Sequence, residues 1–156
     1  MQLPSSSEQY ITIVDNRGRE KVQAVEYIVW DVNQEKVFVT ADALAYTRDS
    51  LTLKRQTYLV PEVDNLSSML SQPDIVIWDP VDDPGETLIY YKRIYIKRFS
   101  THKVMAAIVK IRQSVKFFYN MHLQDSGHVK GTSVVASDQI HIWYLAPGTR
   151  KSQYGL

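Results

Sequence analysis

The sequence predicts an α+β fold in which two helices pack on a twisted antiparallel sheet, with additional strands near both ends of the chain. The first observation is the order of the patterns: strands come first, two helices follow, and a meander of four strands comes last. The second is that consecutive antiparallel strands joined by tight turns need a cover on one face, and the helices are the available cover. The third is size, since 156 residues that are 44% hydrophobic suit one domain with its own core.

A hairpin and a third strand are predicted in the first part of the chain. Residues 1–9 are polar and rich in serine, so we expect a disordered tail there. Tyr10–Val14 reads as a strand, and Val22–Asp31 alternates and is rich in β-branched and aromatic residues. Asp15–Gly18 contains an asparagine and a glycine, which tolerate the positive φ of a tight turn, so the two segments should pair. Lys36–Thr40 is the third predicted strand.

Two helices are predicted after these strands. Thr40 is a suitable N-cap and Asp42 puts a negative charge in the first turn, so the first helix is expected over Ala41–Arg48. Pro61 is favoured at a first helical position, and Pro73 ends the second helix. Between the prolines, apolar residues at three- and four-residue spacing predict a buried stripe made of Val63, Leu66, Met69 and Leu70.

The rest of the chain is predicted to be nearly all β. Strands are expected over residues 74–78, 87–97, 103–111 and 115–122, with weaker strands over 133–135 and 140–145. Residues 79–85 form a loop with two prolines, and we interpret its aspartates as turn residues rather than calcium ligands. Residues 147–156 are expected to be a frayed C-terminal tail, so the predicted single domain spans residues 10–146.

One segment, Tyr90–Phe99, combines four cations and four aromatic rings with no anion, whereas the formal net charge of the chain is +1. The clustering is therefore local, and it has two interpretations. The segment is either an edge strand whose lysines prevent aggregation while its rings cover a core, or a surface that stacks bases and neutralises phosphates. The near-neutral chain argues against a generally polyanion-binding protein.

The sequence lacks most of the motifs from which an enzymatic activity or a metal site can be predicted. The chain has no cysteine, which excludes disulfides and zinc–thiolate sites. It has no glycine-rich phosphate loop, no Gly-x-Ser-x-Gly elbow and no histidine pair at metal-ligand spacing, so we expect neither a metal nor a cofactor. No signal peptide and no apolar stretch of roughly 20 residues is present, so a cytoplasmic protein without a membrane partner is expected. Metal-free RNA cleavage, which needs only a base, an acid and a cation, stays open.

An ordered set of features between Lys36 and Leu123 resembles a known family. The features are a strand that runs into Val39–Leu44 at the start of a helix, a helix that ends at Ser71–Asp74 before a strand, the loop 79–84, the segment Leu88–Lys92, the apolar strand Met105–Lys110 and the segment Phe117–His122. Together they are similar to the phage-associated nuclease-like domains grouped as PBECR, named for barnase, EndoU, colicin and RelE toxins. The resemblance implies a BECR or RelE-like core over about 36–123, in a nuclease-like domain of a phage, mobile element or toxin system.

The same resemblance implies where a site would lie. The family pattern has a histidine in the first helix, matched here by Tyr46, and then an Arg-His pair that is missing here, so Arg48, Lys54 or Arg55 would supply the cation. The last core strand of the family ends in Thr-Ala-Tyr, which places His122 at the tyrosine. The implied activity is metal-independent RNA cleavage with Tyr46, Arg48 and His122 as catalytic residues. The implied nucleic-acid-binding residues are Arg55, Tyr90, Tyr91, Lys92, Arg93 and Lys97.

Other interpretations stay open, because both histidine positions of the family are replaced here. Tyr46 is also compatible with a helix anchor packed against the sheet, and His122 with a surface residue near a strand end. The domain would then be a catalytically inactive module that binds RNA, or a protein partner or inhibitor at a sheet edge. A structural role in a larger assembly, with contacts supplied by the extra strands, is the third interpretation, and the oligomeric state is open.

Overall fold

One eight-stranded sheet organises the protein. The computed structural model describes residues 1–15, 17–81, 85–124, 129 and 139–156. The helices and strands follow in the order β1 (Tyr10–Val14), β2 (Glu20–Trp30), β3 (Lys36–Thr40), α1 (Ala41–Leu53), α2 (Val60–Val63), α3 (Leu66–Ser71), β4 (Ile75–Trp78), β5 (Thr87–Ile96), β6 (Thr101–Arg112), β7 (Val115–Gln124) and β8 (Ile142–Leu145). Short 3-10 turns lie at Ser6–Glu8, Thr57–Leu59, Lys97–Phe99 and Lys151–Tyr154.

The sheet is mixed, which overturns the predicted fold. Its strand order is β1-β2-β3-β7-β6-β5-β4-β8, and β3 and β7 run parallel, with Phe38 beside Phe117. The prediction of two helices packed on an antiparallel sheet was therefore wrong: the described chain is a mixed α+β fold dominated by the eight-stranded sheet, with three short helices. The parallel contact joins segments that are far apart in the chain, so no local pattern of residues indicates it.

Helix α1 begins where the sequence indicates and ends later. The Thr40 hydroxyl accepts a hydrogen bond from the Ala43 N–H at 3.2 Å, which confirms the N-cap. The predicted end at Arg48 was too early. The buried residues Leu44, Thr47 and Leu51 lie on one side of the helix and continue the packed stripe past that position.

The second predicted helix is divided into two short ones. Asp64 and Asn65 separate α2 from α3, and the Asn65 N–H donates to the Glu62 carbonyl at 3.0 Å, a tighter turn than an α-helix makes. Aspartate and asparagine favour such breaks because their side chains compete for nearby backbone groups. The predicted stripe is nevertheless buried, with 2% exposure or less at Val63, Leu66, Met69 and Leu70.

The helices cover one face of the sheet, called the helix face below, and the main core lies between them. Leu51 of α1 and Leu66 of α3 pack there with Val76, Tyr90 and Phe118 from the strands. Because side chains alternate along a strand, the neighbouring residues of the same strands point to the opposite face, called the outer face below.

The β1–β2 hairpin is confirmed, and it contributes to the outer face. Tyr10 lies opposite Ala24 in antiparallel register, and the register against β3 shifts between Val25 and Tyr27. A bulge of this kind bends a strand and increases its twist. A small buried cluster then joins the hairpin to β7, and it consists of Ile11, Val25, Ile28 and Phe117.

Both chain ends pack on the sheet, which differs from the expected tails. Tyr154 is fully buried, and its hydroxyl donates to the Asp74 carboxylate at 2.7 Å. Near the other end, Lys36 and Glu8 form an ion pair at 2.9 Å. The C-terminal segment is not frayed because the outer face offers Tyr91 and its aliphatic neighbours as an apolar surface for Tyr154.

The remaining predicted strands are found with small changes at their ends. The predicted strand 140–145 is present over Ile142–Leu145 and pairs with β4. The predicted strand 133–135 and loop residues 82–84 lie outside the described residues. None of the helices in the described ranges combines the length and the apolar character needed to cross a membrane.

Candidate nucleic-acid interface

The β5–β6 hairpin ends in a basic and aromatic surface. Residues 93–103 contain no aspartate or glutamate. We call this surface the hairpin end, and its exposed basic and aromatic side chains are Arg93, Tyr95, Lys97, Arg98, Phe99, His102 and Lys103. The arginines and lysines among them are positively charged at neutral pH, so cations and rings are interleaved on one exposed element.

Backbone pairing sets the position of the aromatic pair at the hairpin end. Tyr95 lies directly opposite His102 in the antiparallel ladder, and the centroids of their rings are 5.2 Å apart. Tyr95 is 55% exposed. Arg93 precedes it on the same face of β5, so a cation lies beside an exposed ring pair.

The turn of the hairpin is held against the helix face. Lys97–Phe99 forms a 3-10 turn, and Ser100 follows it with a positive φ of 48°. The Arg98 guanidinium lies 5.3 Å from the ring centroid of Tyr58 and 5.4 Å from that of Phe99. The two rings meet edge to face at 5.1 Å. Cation–π contacts therefore position Arg98, while Phe99 stays 49% exposed.

Two adjoining cavities lie beside β6 and β7. The first, called the Tyr46 cavity, has a volume of about 380 Å³ and is lined by the β1–β2 hairpin, the start of α1 and parts of β6 and β7. The second, called the Thr87 cavity, has a volume of about 370 Å³ and is lined by residues of β5, β6 and β7 with Asp79. Lys110 and Tyr119 line both cavities, so the two cavities share one wall.

The shared wall of the cavities depends on a β-bulge. The register between β6 and β7 shifts between Ile108 and Val109, and Tyr119 has no direct partner across the strands. Such a bulge redirects a side chain. Here the Lys110 ammonium lies 4.2 Å from the centroid of the Tyr119 ring, so a cation–π contact holds the two side chains together.

The Thr87 cavity contains two buried polar side chains. Thr87 and Asp79 are each 3% exposed, and the Asp79 N–H donates to the Thr87 carbonyl at 2.8 Å. The Asp79 carboxylate accepts a hydrogen bond from the Val81 N–H at 2.9 Å. Within the described residues the Thr87 hydroxyl has no hydrogen-bond partner. Ile89 and Ile108 pair across the strands and supply aliphatic surface to the same cavity.

The two tyrosines predicted to stack bases are unavailable for that role. Tyr90 and Tyr91 are fully buried. Tyr90 lies on the helix face, where its hydroxyl donates to the Asp31 carboxylate at 2.5 Å and burial raises its pKa above the usual range. Tyr91 lies on the outer face, 6.5 Å from the Tyr154 ring between centroids. The prediction that either ring stacks on a base is therefore wrong, because β5 is covered on both faces at this point.

Three of the predicted cationic residues lie outside the hairpin end. The Lys92 ammonium donates to the Ser68 hydroxyl and the Gln72 carbonyl, both at 3.0 Å, and so binds the end of α3. Arg48 pairs with Asp64 at 3.1 Å. Arg55 is exposed just after α1 and has a positive φ of 58°. Arg93 and Lys97, by contrast, belong to the hairpin end.

The predicted catalytic residues do not come together. Tyr46 lines the Tyr46 cavity and His122 lines the Thr87 cavity, whereas Arg48 pairs with an aspartate beyond α2. Lys110 and Tyr119, which line both cavities, were missed by sequence reasoning. They lie in strands with an ordinary alternating pattern, and the residue types around them do not indicate the bulge that brings them together.

A buried charge cluster on the helix face was also missed. The Asp31 carboxylate accepts hydrogen bonds from Lys116 and Tyr90, both at 2.5 Å, and its other oxygen accepts from two backbone N–H groups of the β2–β3 turn. The Lys116 ammonium lies 4.6 Å from the Trp143 ring. All donors and acceptors of Asp31 have partners, which is typical of a structural cluster.

No family model matches this chain, and no curated protein or solved structure matches it either. Across the described ranges, no three histidine or carboxylate side chains gather in an arrangement that could hold a metal ion. The function has to follow from the chemistry of the hairpin end and the two cavities.

Proposed function

We propose that the protein binds single-stranded RNA at the hairpin end and does not cut it. The supporting observation is the exposed, acid-free set of cations and rings in residues 93–103. Cations neutralise phosphates, and exposed aromatic faces stack with unpaired bases. The separation of Tyr46, Arg48 and His122 favours binding over catalysis. The resemblance to nuclease-like domains favours RNA over DNA.

A single strand suits this surface better than a duplex does. The ring pair of Tyr95 and His102 lies across two paired strands of the sheet and is reached only by bases whose faces are free. In a duplex these faces are covered by neighbouring base pairs. The surface resembles a stacking platform flanked by phosphate-binding cations, an arrangement that tolerates many sequences.

The cations of the hairpin end predict a defined dependence on salt. For single strands, the logarithm of the binding constant falls with the logarithm of salt concentration by about 0.7 per neutralised phosphate. Three or four phosphate contacts, made by Arg93, Lys97, Arg98 and Lys103, would therefore give a slope of roughly −2 to −3.

The test is fluorescence anisotropy with a labelled oligouridine and with duplex RNA of the same length, from about 50 to 200 mM salt. The variant with Lys97→Glu and Lys103→Glu should lose most of its affinity for the single strand. The variant with Arg17→Glu and Arg19→Glu, both exposed in the β1–β2 turn, reverses the same number of charges; it is the matched control and should bind as the unchanged protein does. Equal affinity of the two variants, or tighter binding of duplex, contradicts the proposal.

Metal-independent RNA cleavage is a second candidate function, and the Thr87 cavity favours it. His122 lines this cavity together with Lys110 and Tyr119. A histidine can transfer protons near neutral pH, and a lysine can stabilise the charge that develops on phosphate. End-labelled RNA incubated in EDTA should be cut by the protein but not by His122→Ala, with exposed His141→Ala as control. Intact RNA after long incubation would exclude cleavage and leave binding.

A further inference from the structure

We infer that the Thr87 cavity binds one nucleotide unit, with the base against the aliphatic surface of β6 and the phosphate towards Lys110. This inference rests on the proposed RNA binding, and it adds a contact site separate from the hairpin end. The cavity volume of about 370 Å³ lies near the lower limit of small-molecule sites, which span roughly 300–1,000 Å³. One nucleotide suits this volume better than an oligonucleotide does.

The Thr87 hydroxyl points to a ligand. It is buried, and none of the described residues offers it a hydrogen-bond partner. Native proteins pair nearly all buried polar side-chain atoms, because a hydroxyl without a partner destabilises the fold. Valine has nearly the same shape and suits a strand equally well. A buried threonine at this position is therefore better explained by a role in binding than by packing.

The lining of the cavity matches the parts of a nucleotide. The half-buried Ile108 offers an apolar surface for the face of a base. The buried Asp79 carboxylate can accept a hydrogen bond from a ring or exocyclic N–H, and the Thr87 hydroxyl can donate or accept one. Lys110 brings positive charge to the opposite wall, where a phosphate would be favoured.

Glycine carries a positive and a negative charge but no flat ring. Ribose 5-phosphate carries the phosphate without the base. These two compounds therefore separate recognition of the whole nucleotide from general attraction of charge into the cavity. Only a nucleotide uses the aliphatic surface, the buried polar pair and the cation together.

The test compares Thr87→Val with Thr87→Ser, using calorimetric titration of the four nucleoside 5′-monophosphates and thermal melting of each variant. Thr87→Val should melt at the same or a higher temperature, because it removes an unpaired buried hydroxyl. It should also bind the preferred nucleotide roughly five- to tenfold more weakly. Thr87→Ser keeps the hydroxyl and should keep the affinity. This opposite movement of stability and affinity is not expected of a residue with a packing role only.

Two results would overturn the inference: unchanged nucleotide affinity in Thr87→Val, or ribose 5-phosphate or glycine binding as tightly as any nucleotide. Failure of the proposed function is recognised separately. The Lys97→Glu and Lys103→Glu variant should lose RNA binding yet still bind mononucleotides. If RNA binding is absent but nucleotide binding follows Thr87, the proposed function fails and the cavity is a site for free nucleotides. If Thr87→Val weakens RNA and mononucleotide binding alike, the nucleotide unit belongs to the RNA.

Discussion

Removal of one charge from the buried pair of Lys116 and Asp31 should cause a large loss of stability. The two side chains are 6% and 0% exposed and lie 2.5 Å apart. Lys116→Met keeps the length of the side chain and removes its charge, so the Asp31 carboxylate would remain buried without its cation. Breaking a buried pair in this way costs about 3–5 kcal/mol, a large part of the roughly 5–15 kcal/mol that stabilises a typical protein.

The loss should be visible in both urea and thermal unfolding. For a protein of this size, each kcal/mol lowers the melting temperature by about 2–4 °C, so Lys116→Met should melt about 6–20 °C lower. Trp143 lies 4.6 Å from the Lys116 ammonium, so its fluorescence reports on the cluster during urea unfolding. The urea midpoint should fall while the slope of the transition stays the same.

Two comparisons make the result interpretable. Lys54→Met, at an exposed position after α1, should change the unfolding free energy by no more than about 0.5 kcal/mol. The double variant with Asp31→Asn should lose less than the sum of the single losses, with a coupling of about 0.5–3 kcal/mol. A loss below about 1 kcal/mol in Lys116→Met would refute the reasoning, because it would mean that the carboxylate is still solvated or paired.

Smaller perturbations test contacts elsewhere on the sheet. Hydrogen bonding to Lys36 holds the pKa of Glu8 at about 2, below its ordinary 4.5, so this stabilising contribution is present above about pH 4.5 and is lost towards pH 2. In Glu8→Gln the urea midpoint should therefore fall less steeply between about pH 4.5 and pH 2 than in the unchanged protein. An equally steep fall in both proteins counts against the contact. Burial raises the pKa of Tyr154, so the stability from this residue persists below about pH 10 and falls above it. Tyr154→Phe should remove that alkaline loss and cost about 1.5–3 kcal/mol at neutral pH, whereas no change in melting would place the C-terminus off the sheet. Arg48→Ala should cost less than about 1 kcal/mol, because its pair with Asp64 is largely exposed, and a larger loss would assign it a packing role.

Local pattern was sufficient for most elements of the fold. Lys36–Thr40 was predicted with its observed ends, and the Thr40 cap was recognised because hydroxyl capping is a property of a few neighbouring residues. The stripe in α2 and α3 was also recognised, since helical spacing is a short-range signal. The break at Asp64 was missed because a strong apolar stripe outweighed two poor helix formers.

The burial of Tyr90 and Tyr91 shows where alternation fails. Residues 87–91 are all buried, because helices cover one face of β5 and the C-terminal segment packs on the other face at Ile89 and Tyr91. The run Thr-Leu-Ile-Tyr-Tyr is typical of a strand that is covered on both faces, and this signal was present in the sequence.

The cluster around Asp31 could not be predicted from residue types. Asp31 follows a strand and resembles a turn residue, and Lys116 resembles the polar position of an alternating strand. Their contact depends on the parallel pairing of β3 with β7, which brings the start of β7 beside the β2–β3 turn. Long-range pairing decides which polar residues become buried, and one sequence carries no direct signal for it.

Strand β5 is buried in its first half and partly exposed in its second half, so different residues should determine RNA affinity and the stability of the fold. The buried first half, with Tyr90 in the Asp31 cluster, anchors the strand. In the second half only the helix face stays covered, so Tyr95 on the outer face is exposed. A ring on an anchored strand loses little freedom when it binds a ligand. Tyr90→Phe should therefore lower the unfolding free energy by about 1.5–3 kcal/mol and leave RNA affinity unchanged below the melting transition. Tyr95→Ala should do the reverse, with roughly 1–3 kcal/mol of binding lost for one stacked base. Anisotropy and urea unfolding on the same samples measure both quantities, and an affinity that follows stability in both variants would place the RNA contact somewhere other than the hairpin end.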